Sequence, residues 1–205
     1  VYTITATSGV APNECSSTFD LTVTVNSKPL IADVVQAICT TETFTVTPVS
    51  NASDLVPVGT TYTWNVTAPV GITGASNQLN PQNSISQTLT NSTELPLDVV
   101  YTVTASSTGC TDTFELTVTV NPTPLVAVNS QTVCSGDLAT ITAISTTPGT
   151  YDYAWTVPST ISNPGNVASF TTTEAGNYSV IITDINTGCF SASSSGTVTL
   201  LPLPT

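Results

Sequence analysis

The chain has 205 residues, 40% of them hydrophobic and 7% charged, and its charge is one-sided: 13 Asp and Glu against a single Lys, no His, net −12. Nucleic-acid binding needs a basic footprint on the phosphates, which Lys28 alone cannot supply, so no nucleic-acid partner is expected. Imidazole is the usual general base near neutral pH and the commonest metal ligand, so its absence disfavours triad hydrolases, zinc hydrolases and most acid–base enzymes. A non-catalytic protein without cofactor or metal is the expectation.

The 43 Thr and 24 Val suit pleated, half-buried strands, and the Val, Ile and Leu are too many and too regularly placed for a disordered chain. No apolar run approaches the ~18 residues of a membrane span. Residues 1–28 begin inside a strand pattern (Tyr2, Ile4, Ala6), pass Cys15 and end in an alternating strand, Thr18–Asn26. They read as the last strands of a preceding domain, and the sequence as a piece of a longer polypeptide.

Residues 29–121 follow a joint, Asn26-Ser27-Lys28-Pro29-Leu30, and read as one complete domain. Its closing strand, Thr113–Asn121, matches Thr18–Asn26 at eight of nine positions with an offset of 95, and the same offset relates Cys15 to Cys110, Gln36 to Gln131 and Cys39 to Cys134. One repeat register therefore covers most of the chain. Residues 122–205 open with the joint Asn121-Pro122-Thr123-Pro124-Leu125 and form a second, shorter domain, at whose end Leu201-Pro202-Leu203-Pro204 starts another joint. Within it come an extended stretch (Leu125–Val133), Cys134, an alternating strand (Ala139, Ile141, Ala143), a Trp strand (Tyr153, Trp155, Val157), a variable middle, a Tyr strand (Tyr178, Val180, Ile182), a turn, Cys189 and a final strand (Thr197–Leu200). Period-two alternation between turn signals marks antiparallel strands, and about six or seven of them in roughly 80–95 residues indicate a β-sandwich. The predicted fold class is all-β, with tandem immunoglobulin-like sandwiches arranged end to end.

Trp64 and Trp155 fall on the third strand, where an immunoglobulin-like sandwich places its core Trp, and Tyr2, Tyr101 and Tyr178 open the penultimate strand, as a tyrosine corner does. These five residues are the expected core markers; the flanking alternation turns Trp155 inward with Tyr153 and Val157, against its use as a ligand platform. Trp64 to Tyr101 spans 37 residues and Trp155 to Tyr178 only 23, so the shorter domain has lost loop or a middle strand. The prolines fix φ and favour extended backbone, which predicts stiff joints.

The segments Val133-Cys134-Ser135-Gly136-Asp137, Tyr178–Val180 running to Thr183-Asp184-Ile185-Asn186-Thr187-Gly188-Cys189, and Val118-Thr119-Val120-Asn121-Pro122-Thr123-Pro124 resemble the PKD-like or Ig-like repeats that build very large surface proteins of Bacteroidota, including SprB-type gliding-motility adhesins. The resemblance implies export by a type IX secretion system, display on the outer membrane, partners in the neighbouring repeats and in the outer-membrane secretion or gliding machinery, and a role as stalk or adhesive filament. It brings no catalytic residues. One departure stands out: where the repeat has Cys134-Ser135-Gly136, the first domain has Cys39-Thr40-Thr41, without the glycine. Alternatives to a stalk are glycan- or protein-binding modules and spacers of a secreted multidomain hydrolase.

Five cysteines at repeat-matched positions, with no Cys-x-x-Cys pair and no His, point to disulfides and away from zinc. Two schemes remain open. The in-domain scheme pairs Cys39 with Cys110 and Cys134 with Cys189, leaving Cys15 to a partner upstream. In an immunoglobulin-like sandwich, however, the first turn and the end of the Tyr strand lie on the order of 25–35 Å apart, beyond the ~7 Å a disulfide allows. The staggered scheme, slightly preferred, bridges Cys39 to Cys189 across the joint and leaves Cys15, Cys110 and Cys134 to other neighbours. Asp184-Ile185-Asn186-Thr187-Gly188 has the donors to begin a calcium loop but reads better as a hairpin turn. Lys28, at a joint, reads as a solvated linker residue rather than one half of an isopeptide bond. Sequons at Asn51, Asn65, Asn91 and Asn177 are expected by chance in so Thr-rich a chain.

Overall fold

The computed structural model describes residues 1–204, and every regular element in them is a strand. Strands β1 (Tyr2–Ser8) and β2 (Cys15–Leu21) form an antiparallel hairpin. The first sandwich contains β3 (Val34–Cys39), β4 (Thr43–Val46), β5 (Thr61–Thr67), β6 (Ile72–Thr73), β7 (Gln78–Gln82), β8 (Ile85–Thr88), β9 (Thr90–Asn91), β10 (Leu97–Ser107) and β11 (Cys110–Asn121). One layer is a five-stranded sheet in the order β3-β11-β10-β5-β7; the pairs β4-β8 and β6-β9 complete the domain. The second sandwich contains β12 (Val126–Val128), β13 (Gln131–Cys134), β14 (Ala139–Ser145), β15 (Tyr151–Thr156), β16 (Ser169–Thr172), β17 (Gly176–Asp184) and β18 (Ser194–Leu201), in sheets ordered β12-β14-β16 and β13-β18-β17-β15.

Alternation builds both cores. Along β10, Val99, Tyr101, Val103 and Ala105 are fully buried while their neighbours are not, and β11 presents Phe114, Leu116, Val118 and Val120 to the same side. Phe44 of β4 and Ile85 of β8 meet them from the facing layer, with Phe44 packed 5.3 Å from the Tyr101 ring. In the second domain Ile141, Trp155, Tyr178, Val180 and Ile182 form a separate core, which Phe170 enters edge-on to Trp155 at 5.0 Å. Trp64 and Trp155 are each only 4% exposed. Each indole donates to a backbone carbonyl twelve residues on, Trp64 to Ser76 at 3.1 Å and Trp155 to Val167 at 2.8 Å. That bond lets the polar edge of a buried indole close the loop after the Trp strand in both domains.

The tyrosines behave differently from one another. Tyr178 makes the corner bond, its hydroxyl donating to the Glu174 carbonyl at 2.8 Å. Tyr101 instead donates to the Gln87 side chain at 2.9 Å, and burial pushes its phenol pKa up. Tyr2, expected in a core, is 65% exposed, because no second layer packs on the β1-β2 hairpin within these residues. The hairpin nevertheless repeats the pairing of the first domain: Tyr2 faces Leu21 and Ser8 faces Cys15, as Tyr101 faces Leu116 and Ser107 faces Cys110.

The shorter domain has no counterpart of β7, and side chains from the loop before β16 serve that edge of β15. The Tyr153 N–H donates to the Asn166 side-chain oxygen at 2.7 Å, and the Asn163 amide donates to the Trp155 carbonyl at 2.7 Å. Two asparagines thus replace a strand and leave less free edge for another chain to pair with. Asn166→Ala should cost about 1–2 kcal/mol in urea denaturation, the penalty of losing a partner at a strand edge; no change would show that water substitutes fully.

Candidate functional site: the interdomain joint

The joint is built from the ends of paired strands. Strand β3 runs parallel to β11, with Cys39 in register with Asn121, the last residue before the linker. The Thr40 N–H donates to the Asn121 carbonyl at 2.8 Å, the Glu42 N–H to the Cys39 carbonyl at 3.1 Å, and the Cys39 N–H to the Glu42 carboxylate at 2.9 Å. Cys39 is therefore held where the chain leaves the first domain.

The turn that holds it puts Thr41 at φ 70°, the left-handed region, and the matching position of the second domain is Gly136 at φ 95°. The missing glycine noted in the sequence has not changed the turn; a β-branched residue occupies a conformation that suits glycine. Thr41→Gly should stabilise the first domain by about 1 kcal/mol in denaturant titration. Destabilisation would show that the Thr41 side chain contributes more than its backbone costs.

Cys189 arrives from the other side, on the hairpin between β17 and β18. Asp184 shapes that hairpin: its carboxylate accepts the N–H groups of Asn186 at 2.8 Å and Thr187 at 3.3 Å, and its carbonyl accepts that of Gly188, which sits at φ 75°. The Asp-Ile-Asn-Thr-Gly stretch is thus a hairpin turn whose carboxylate is engaged with its own backbone. The Asp184 N–H donates to the Cys189 carbonyl at 2.9 Å, and Cys189 is 1% exposed.

Cys39 and Cys189 form a disulfide across the joint, with Cα atoms 5.6 Å apart and a sequence separation of 150. Thr40, Thr41, Glu42, Thr123 and Phe190 line a cleft around it. The in-domain pairs do not form. Cys39 is level with Asn121 at one end of β11, and Cys110 opens that same strand eleven residues earlier, so the two lie about 35 Å apart. Cys15, Cys110 and Cys134 are free thiols.

The joint before the first domain has a different fastening. The Asn26 amide donates to the Thr108 carbonyl at 3.1 Å, and the Lys28 ammonium lies 2.9 Å from the Asp112 carboxylate. Hydrogen bonding and charge from Lys28 hold the Asp112 carboxyl below the usual carboxylate range. Lys28 remains 61% exposed, so it is solvated as expected but also ion-paired. Nothing in the sequence singled out Asp112, because the ends of a hairpin and of a linker meet only in the fold.

Among the described residues no group of three or more His, Cys, Asp or Glu is placed to hold a metal ion, and no helix could cross a membrane.

The PKD-like domain model matches residues 36–124. That stretch runs from within β3 to the prolines of the second joint, so the matched unit is the first sandwich. Both domains are Ig-like, PKD-like sandwiches in fold class. Solved structures of low identity also match: the N-terminal four Ig domains of Dscam1 isoform 1.9, at 11% identity over 82% of this chain and 44% of that one with a TM-score of 0.34, and an E-to-A variant of titin domains I67–I69, at 14% identity over 85% and 64% with a TM-score of 0.35. The chain thus spans less than two thirds of either. No curated protein matches it.

Proposed function

We propose that this segment is a non-catalytic, force-bearing spacer in an extracellular or surface-displayed protein. The disulfide across the joint carries the reading: such bonds form and persist in oxidising compartments, and this one ties the exit of one sandwich to a hairpin of the next. The acidic, Thr-rich surface fits such a place, since it keeps the chain soluble and repels anionic envelopes. The repeat resemblance narrows the proposal to a stalk or adhesive filament of the gliding-motility type, exported by a type IX system to the outer membrane of a Bacteroidota cell. Direct glycan binding is the weaker reading, because both tryptophans are committed to the cores.

The test is a domain swap. Replacing residues 29–205 of the displayed parent by two unrelated Ig-like sandwiches with a disulfide-locked joint should preserve attachment and movement if the segment is a spacer. Loss of attachment with normal display would overturn the spacer reading, and glycan-array binding by the isolated chain would then favour the adhesive one.

A further inference from the structure

The two cysteines of each sandwich sit at opposite ends, and only one cysteine of each is used. Cys134 repeats the strand pairing and turn of Cys39, without the carboxylate bond that Glu42 makes to the Cys39 N–H. It ends a strand parallel to the last strand of its domain, in register with Leu201 as Cys39 is with Asn121. The Ser135 N–H donates to the Leu201 carbonyl at 2.9 Å and the Asp137 N–H to the Cys134 carbonyl at 3.0 Å, repeating the bonds of Thr40 and Glu42. Gly136 takes the left-handed position of Thr41. After the paired residue the chain continues as Pro202-Leu203-Pro204, matching Pro122-Thr123-Pro124. Cys134 is also exposed.

Cys110 has the complementary placement. Like Cys189 it follows the Tyr strand, at the hairpin that meets the incoming linker: Asn26 and Lys28 touch Thr108 and Asp112 on either side of it. These linker residues are the repeat equivalents of Asn121 and Thr123, and Thr123 lines the cleft at Cys189. Opposite Cys110, Ser107 buries a hydroxyl with no hydrogen-bond partner among the described residues.

We infer that Cys134 and Cys110 each bond a cysteine of another repeat of this type, Cys134 the hairpin cysteine of a following sandwich and Cys110 the strand-end cysteine of a preceding one. Every joint then carries the bridge seen between Cys39 and Cys189, and each sandwich is bonded to both neighbours through different cysteines. Each bridge forms by two-electron oxidation of two thiols, with loss of two protons, by the disulfide-generating oxidant of the export compartment. The inference rests on the tandem geometry and not on the spacer role, so the two fail separately.

The experiment lengthens the chain by one copy of its own second domain, fusing residues 125–205 after Pro204 so that the new joint keeps the Pro-x-Pro-Leu pattern. The added copy contributes two cysteines. After folding with a glutathione redox couple, thiol titration should still find three reactive cysteines, as in the chain itself, and peptide mapping should link Cys134 to the hairpin cysteine of the added copy. Cys134→Ser should raise the count by one. A folded lengthened chain in which the count rises by two, or in which Cys134 maps to Cys15 or Cys110, overturns the inference. If the lengthened chain does not fold, disulfide mapping of the unreduced natural parent decides by the same linkage.

Discussion

Pulled from its two ends in a single-molecule force experiment, the oxidised chain should release far less length than the reduced one, the difference being on the order of 500 Å. Tension entering the first sandwich travels along β3 to Cys39, crosses the disulfide to Cys189 and leaves along β18. The segment between the two cysteines, defined by a sequence separation of 150, is outside that path. It includes most of both cores, among them Tyr101, Leu116, Trp155 and Ile141. Force can peel β3 from β11 and β18 from its neighbours, but it cannot draw out the strands between the cysteines until sulfur–sulfur exchange occurs. Adding a reductant under load, or substituting Cys39→Ser with Cys189→Ser, should restore the missing length. Equal contour lengths for oxidised and reduced chains would show that the bridge does not carry the load.

The location of the bridge matters more here than its presence. A disulfide inside one sandwich would protect that sandwich and leave its neighbour to unravel. Joining the first strand of one domain to the last hairpin of the next removes parts of two domains from the tensile path with one bond. The prolines of the joint lie in the bypassed segment, where fixed φ at Pro122 and Pro124 limits how far the second domain can swing about the bridge.

Much of this was legible in the sequence, for reasons that differ from residue to residue. Alternation in Val99–Ala105 and Ala139–Ala143 reports which side faces a core, because a strand has only two faces. The Trp positions were legible for the same reason, and the offset of 95 supplied the repeat. The tyrosine corner was only half legible. The sequence places Tyr101 and Tyr178 alike, but the partner of a hydroxyl depends on which side chain the facing layer brings near, and Gln87 lies on β8, far from Tyr101 in sequence. Tyr2 matched its repeat position in pairing and not in burial, because register is a property of the hairpin and burial belongs to a second layer. Asn163 and Asn166 gave no signal as edge partners, since a loop asparagine reads as a turn residue until the strand beside it is known. The cysteines show the general point. Their spacing could be matched to two schemes, and three-dimensional distance along β11 separates them.

Reduction should also change how the chain melts, by lowering stability and by splitting one transition into two. Consider the second sandwich unfolding while the first stays folded. Cys39 is held level with Asn121, so the bridge closes a loop of roughly 70 unfolded residues, which in the chain-entropy description disfavours that state by about 4 kcal/mol. The first sandwich unfolding alone is opposed to a similar degree. Once either is unfolded, however, unfolding the other only enlarges the existing loop about twofold, which adds about 0.6 kcal/mol. The bridge therefore opposes the first event strongly and the second hardly at all, coupling the domains by about 3–4 kcal/mol. The domains differ in core size: the second contributes fewer buried residues and has no β7 equivalent, so uncoupled it should melt first. Calorimetry should show a single transition for the oxidised chain and two for the reduced chain or the Cys39→Ser variant. The lower of the two should fall by at least 10 °C, using about 4–8 °C per kcal/mol for domains of this size. Two well-separated transitions already present in the oxidised chain would mean that the loop argument fails and that the bridge stabilises each sandwich independently.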